Sequence, residues 1–205
     1  MQLPIDIDAI KGFLAHDEGE ALYQYCLAAT LLGPCLEIGS YCGKSTVYLG
    51  LACKEGGRSL YAVDHHRGSE EHQPGEEYHD PDLYDGSIGL MDSFHVFRST
   101  LRAAGLEDTV VPLVASSKVA ARDWRTPLAM VFIDGGHSFE AAENDYESWV
   151  PHVMQGGVLA IHDIFPDPAK GGQAPWTIYQ RAMSTGLFEA LPMVGTLGLL
   201  RRNDQ

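Results

Sequence analysis

The sequence predicts a single α/β domain: a doubly wound, Rossmann-like sheet of seven strands that closes with a C-terminal antiparallel hairpin. Three observations carry this reading. Five short strand-like runs, at 35–39, 60–64, 110–114, 129–134 and 158–163, alternate with runs at helical spacing, which is the mark of βαβ units and a parallel sheet. The first run leads into a glycine turn, Gly39 to Gly43, and then a helix start. Two further strand-like runs, 187–191 and 196–200, flank a turn-forming stretch from Pro192 to Gly195. With 205 residues the chain is long enough for one core and too short for two ordinary ones, so the domain is taken as 1–205.

The elements follow in order. Within 1–33 two short amphipathic helices are expected, one around Ile7, Ile10 and Phe13 and one around Leu22, Cys26 and Ala29. After the second strand comes an acidic, His-, Gly- and Pro-bearing stretch, 65–89, with no apolar period. It is long for a connection in a compact domain, and its place after a strand's C-terminal end marks it as a substrate loop. Leu90, Phe94, Phe97 and Leu101 share one helical face before Gly105; Phe139, Ala142, Tyr146 and Trp149 share another after a Ser138 cap. A Gly/Pro-rich loop, 165–175, precedes a helix from about Trp176 to Met183. Helices should therefore cover both faces of the sheet.

Composition excludes several classes. The net charge is −14 and no basic run exceeds Arg201-Arg202, so a polyanion would be repelled and nucleic acid is a poor partner. No stretch approaches the roughly 20 apolar residues of a membrane span. The start of the chain does not read as a secretory signal, which makes the cytoplasm the expected location. The four cysteines, Cys26, Cys35, Cys42 and Cys53, lack C-x-x-C spacing and are expected as buried free thiols.

The chemistry-bearing residues cluster at strand ends. Gly39 lets a ligand approach the backbone, and Gly43 and Ser45 place N–H groups at a helix start, where an anionic group is welcome. The turn lacks the glycine spacing of the dinucleotide fingerprint G-x-G-x-x-G. Asp64, about 25 residues on, is placed to accept the ribose hydroxyls of an adenosine ligand, and Ser116 and Ser117 follow the third strand. Asp134, His162 and Asp163 end the fourth and fifth strands. Two carboxylates and an imidazole there suit a hard divalent cation, Mg²⁺ best, with Mn²⁺ or Zn²⁺ as alternatives. Asp134 borders the cofactor crevice as well. His137, three residues beyond it, has the ordinary pKa of a general base near neutrality. Read without ligands, Asp134 would cap a helix, His162 would be a hydrogen-bonded core imidazole, Ser116 a helix cap and His137 a surface ring.

The run Glu37-Ile38-Gly39-Ser40-Tyr41-Cys42-Gly43 resembles the class I S-adenosylmethionine-dependent methyltransferase motif E/D-x-G-x-x-x-G. That resemblance implies that Glu37 lies near the cofactor's amino-acid end, that Gly39 lines it and that Ser116 sits near the adenine. Ile133-Asp134-Gly135-Gly136-His137-Ser138-Phe139-Glu140 and Ala160-Ile161-His162-Asp163-Ile164 look like the metal-dependent sugar and antibiotic O-methyltransferases. A narrower run, Ala62 to Gly75 continuing through Tyr78-His79-Asp80-Pro81, is similar to the mycobacterial 1-O-methyltransferases of methylmannose polysaccharide biosynthesis. This implies an enzyme that methylates the reducing-end 1-OH of a short 3-O-methylated mannoside, a small neutral oligosaccharide. It also implies Mg²⁺ held by Asp134 and Asp163, His137 as the catalytic base, and a homodimer. The broader family often has an acid at the position of His162, which leaves that ligand open. Two other readings stand beside it: a catechol-type or natural-product O-methyltransferase, and a non-catalytic metal-binding module built on the histidines of 65–89.

Overall fold

The computed structural model describes residues 2–69, 73, 75 and 79–203. Glu70, Glu71, His72, Pro74 and Tyr78, part of the run that carries the narrower resemblance, lie outside the described residues.

Seven strands form one sheet. In chain order the elements are α1 (His16–Ala29), β1 (Cys35–Ile38), α2 (Lys44–Glu55), β2 (Leu60–Val63), β3 (Tyr84–Asp85), β4 (Leu90–Met91), α3 (Phe94–Ala103) and β5 (Val110–Leu113). They continue with α4 (Ser117–Ala121), β6 (Leu128–Ile133), α5 (Phe139–Trp149), β7 (Val153–Ile161), α6 (Ala174–Ser184), β8 (Phe188–Ala190) and β9 (Gly198–Arg202). The order across the sheet is β5-β2-β1-β6-β7-β9-β8. The first five strands in that order run parallel, β9 is antiparallel to β7, and β8 pairs antiparallel with β9. The expected doubly wound sheet with its terminal hairpin is therefore present. The chain reverses direction across the sheet between β1 and β6, and ligands of such sheets bind outside the strand ends at that switch point.

The central strands are buried on both sides, and their side chains alternate between two cores. Cys35, Met130, Phe132 and Ala160 pack with Leu22 and Cys26 of α1, Val47 and Tyr48 of α2 and Phe97 of α3. Leu36, Val131, Ile133 and Ile161 pack with Tyr146 and Trp149 of α5 and Ile178 of α6. Period two also decides which polar residues face α1 and α2: Glu37, Asp134 and His162 fall in step with Cys35, Phe132 and Ala160. Cys26 lies 3.6 Å from Cys35 and from Cys53 at sulfur, all three buried as thiols without a disulfide.

Three local expectations need correction. The helix expected around Ile7, Ile10 and Phe13 is a single 3₁₀ turn, Ile7–Ala9, after which Ile10 is extended and Phe13 is exposed; Pro4 and Gly12 leave too short a span for an α-helix. Leu90 is not in α3. It pairs in β4 with Asp85 of β3, the chain having turned at Gly89 (φ +68°), and Asp92 accepts the Phe94 N–H to start the helix at Phe94. The stretch 65–89 therefore carries a 3₁₀ turn, Pro81–Leu83, and half of a small hairpin. Phe139, expected on the buried face of α5, is exposed, because it occupies the first position beyond the Ser138 cap. Among the described residues no helix is long and apolar enough to cross a membrane.

Candidate active site

At the C-terminal end of β1 the chain turns through Gly39 (φ +86°), Tyr41 (φ +45°) and Gly43 (φ +95°). A β-carbon on Gly39 would overlap the backbone carbonyl of Asp134. The tightest need for glycine at this position is thus the approach of β6, while the residue also lines the cavity described below. Glu37 is fully buried one layer behind. Its two oxygens accept the hydroxyls of Ser45 (2.5 Å) and Thr46 (2.6 Å), tying β1 to the first turn of α2. Burial pushes the Glu37 carboxyl up to about 7; the two hydroxyls oppose this and the charge of Asp134 adds to it. Glu37 does not reach the cavity, so it supports the turn from beneath.

Asp64 follows β2 and secures the same turn from the other side. Its Oδ2 accepts the Tyr41 N–H (2.8 Å) and its Oδ1 accepts the His66 N–H (2.7 Å), and the carboxylate borders the cavity. His66 takes a positive φ (+58°), is buried, and bonds Ser93 across 2.9 Å. Ser116 precedes α4 without capping it through its hydroxyl and is exposed at the cavity wall. Asp145 of α5 lines the same cavity, buried and bonded to Ser117; desolvation pushes its carboxyl up to about 6.

The ends of β6 and β7 and the first turn of α1 bring together two imidazoles and three carboxylates. His162 is 4% exposed. Its Nδ1 lies 3.1 Å from Asp134 Oδ1 and 3.5 Å from Asp163 Oδ2, and its Nε2 lies 2.9 Å from Glu18 Oε2. Burial works to strip the His162 proton, but the carboxylates around the ring outweigh it and raise the imidazole well above its usual range; a cation bound at Nδ1 would take the place of the proton on that nitrogen. Asp163, in the left-handed region at φ +56°, turns its carboxylate toward His137, whose Nε2 is 3.1 Å from Oδ2. Burial would raise the Asp163 carboxyl; His137 and His162 win and hold it well below the carboxylate range. Burial likewise works to raise Glu18, yet hydrogen bonds from His162 and Thr196 carry it down to about 2.

Asp134 Oδ1, His162 Nδ1 and Asp163 Oδ2 can all face one point, lying within 4.8 Å of one another. Adjacent ligands of an octahedral ion with bonds near 2.1 Å sit roughly 3.0 Å apart, close to the 3.1 and 3.5 Å measured from Nδ1. This donor set fits a small divalent cation.

Both groups of residues open onto one cavity of about 600 Å³ along the carboxyl edge of β2, β1, β6 and β7. Residues 36–164, the segment that builds this edge, match the model of the family described as a methyltransferase domain. The chain belongs to that family.

The methyltransferase domain superposes on solved structures of low identity, which share its fold. The O-methyltransferase NovP matches with a TM-score of 0.69 at 18% identity, over 91% of this chain and 80% of that one. The O-methyltransferase TomG from Streptomyces achromogenes, involved in tomaymycin synthesis and solved in complex with SAM, gives 0.62 at 16%, over 93% and 82%. CalS11, a TDP-rhamnose 3′-O-methyltransferase of calicheamicin biosynthesis, gives 0.57 at 15%, over 89% and 76%.

Of the residues singled out in the sequence, Gly39, Ser45, Asp64, Ser116, Asp134, His137, His162 and Asp163 all border the methyltransferase cavity, and Glu37 stands behind it. Two functional candidates escaped the sequence. Glu18 falls in step with Leu22 and Cys26 on the buried face of α1, and Asp145 falls between Ala142 and Trp149 on that of α5. An acid on an apolar stripe was the available signal for both.

Proposed function

We propose that this methyltransferase is an S-adenosylmethionine-dependent O-methyltransferase that uses a divalent cation, Mg²⁺ or Mn²⁺, to methylate a sugar hydroxyl. The acceptor in this reading is the reducing-end 1-OH of a short 3-O-methylated mannoside in methylmannose polysaccharide biosynthesis. One observation carries it: a single cavity has two chemically different ends. Asp64 stands at the end of β2 and Asp163 at the end of β7, three strand spacings or about 14 Å apart. That separation suits a nucleoside at one end and methyl transfer at the other.

In this reading Asp64 accepts the ribose hydroxyls, Ser116 lies beside the base, and the start of α2 at Ser45 receives the amino-acid carboxylate, the Gly43 N–H being spent on the Ser40 carbonyl (2.7 Å). Asp134, His162 and Asp163 hold the cation. When bound, S-adenosylmethionine supplies an already activated methyl group, and the cation supplies a charge that acidifies and orients the acceptor hydroxyl. The remaining work belongs to side chains. His137 takes the hydroxyl proton on its ring, and Asp163, 3.1 Å from Nε2, orients the imidazole and stabilises its charged form. A sugar acceptor is supported by the polar residues that meet the cavity from 65–89, such as His65 and Ser69. It is further supported by the fold shared with CalS11. The homodimer belongs to the same proposal.

The test is methyl transfer from S-adenosylmethionine to a short mannoside with a free anomeric hydroxyl, in Mg²⁺ and in excess chelator. Turnover is expected only with the cation present, and not on the same mannoside capped as a glycoside. Equal turnover of the capped sugar would remove the anomeric oxygen as acceptor; full turnover in chelator would remove the cation.

A further inference from the structure

We infer, on the footing of the divalent-cation reading above, that Glu18 is a positioning residue that makes His162 a metal ligand through Nδ1 and thereby biases the centre toward Mn²⁺ over Mg²⁺.

Which nitrogen of a histidine meets a metal is fixed by what its other nitrogen does. Here the second partner is decided by geometry. Glu18 is 4% exposed, and every direction around its carboxylate but one is taken. Oε1 accepts the Thr196 N–H (2.6 Å) and the Thr196 hydroxyl (2.8 Å), while Oε2 accepts the Ala15 N–H (3.1 Å). Gly195, at φ +55°, packs so close that a β-carbon there would press on Oε1. The carboxylate is thus fixed from both ends of the chain, and what remains of Oε2 faces His162 Nε2 at 2.9 Å. An ionised carboxylate can only accept, so Nε2 must carry a hydrogen. That leaves Nδ1 as the nitrogen able to present a lone pair, and Nδ1 is the one beside Asp134 Oδ1 and Asp163 Oδ2.

The consequence is a mixed nitrogen and oxygen donor set. Mg²⁺ is a hard ion that favours oxygen throughout, whereas an imidazole ligand draws the preference toward transition ions. Glu18 adds to this by making the ring a better donor, as a carboxylate behind a ligating histidine does.

The experiment is a double-mutant cycle on the full chain. Mn²⁺ and Mg²⁺ binding would be measured by calorimetry for the wild type, Glu18→Gln, His162→Asp and the double variant. Thermal unfolding would check each fold, and pulsed EPR of bound Mn²⁺ would look for coupling to an imidazole nitrogen. Wild type should bind Mn²⁺ more tightly than Mg²⁺ and show that coupling. Glu18→Gln should weaken Mn²⁺ binding by about 10-fold or more, the usual cost of losing such a partner. In His162→Asp the coupling should vanish and the preference swing to Mg²⁺. There Glu18 faces a second acceptor-only group, so Glu18→Gln should tighten binding. A Glu18 that merely supports the fold would weaken the metal equally in both backgrounds, and that result overturns the inference. Mn²⁺ bound by the wild type without nitrogen coupling overturns it too while leaving the cation reading intact. Failure of the wild type to bind either ion removes both.

Discussion

Gly39 packs so closely against Asp134 that a β-carbon on the first would overlap the backbone carbonyl of the second. The turn after β1 and the end of β6 are one joint, and any side chain at 39 would also have to adopt φ +86°. Gly39→Ala should therefore cost about 3 kcal/mol or more, well beyond an ordinary glycine replacement. Urea unfolding measures it; a loss below about 1 kcal/mol, the scale of a simple glycine-to-alanine exchange, would show that the joint can open.

Asp64 has two duties, since its oxygens hold the Tyr41 and His66 amides and border the cavity. Asp64→Ala should weaken S-adenosylmethionine binding by about 10-fold to 100-fold, the worth of charge-assisted hydrogen bonds lost from a partly buried ligand. Asp64→Asn, which keeps one acceptor, should fall between. Titration calorimetry gives both values, and wild-type affinity in the alanine variant would take Asp64 out of the cofactor site.

His137 should separate binding from chemistry. If it takes the acceptor proton, His137→Ala keeps cofactor affinity and loses about 10²-fold to 10⁴-fold in turnover. The cofactor dissociation constant and kcat, measured on the same preparation, decide it. A variant that turns over normally would pass the role of base to another group.

Glu37 should make the protein less stable as pH rises. Its usual carboxyl value is 4.5, and burial lifts it to about 7 in the folded chain. Between these values the unfolded chain has already released a proton that the folded one retains. Stability attributable to this group therefore falls from pH 4.5 to 7, by at most about 1.4 kcal/mol per pH unit. The difference in unfolding free energy between wild type and Glu37→Gln should shift in the variant's favour across that window. A difference that stays flat with pH would mean that Glu37 is ionised throughout.

Much of this was legible in the sequence because parallel strands buried on both faces leave continuous apolar runs. Leu60–Val63 and Leu128–Ile133 are such runs, and the acid that ends each is where a ligand can sit. What local pattern could not supply was partnership. Glu18 is 144 positions from His162, and no window around either residue contains the other. Leu90 matched the spacing of α3, yet the Gly89 turn and its pairing with Asp85 prevailed over periodicity. Glu37 stood in the motif as a cofactor residue. That it spends both oxygens on Ser45 and Thr46 depends on the angle at which α2 leaves the turn, which composition does not encode.

The bonds between Glu18 and Thr196 span 178 positions, almost the whole chain. During synthesis Glu18 leaves the ribosome well before its partner Thr196 at the β8–β9 hairpin. A buried carboxylate oxygen without donors is costly, and both donors to Oε1 come from Thr196, so α1 cannot settle fully against the sheet until β9 has docked. This edge of the sheet is therefore finished only once the β8–β9 hairpin has been made. A molecule whose C-terminal hairpin has come loose would retain its parallel strands and have lost the alignment of His162, inactive before it is unfolded.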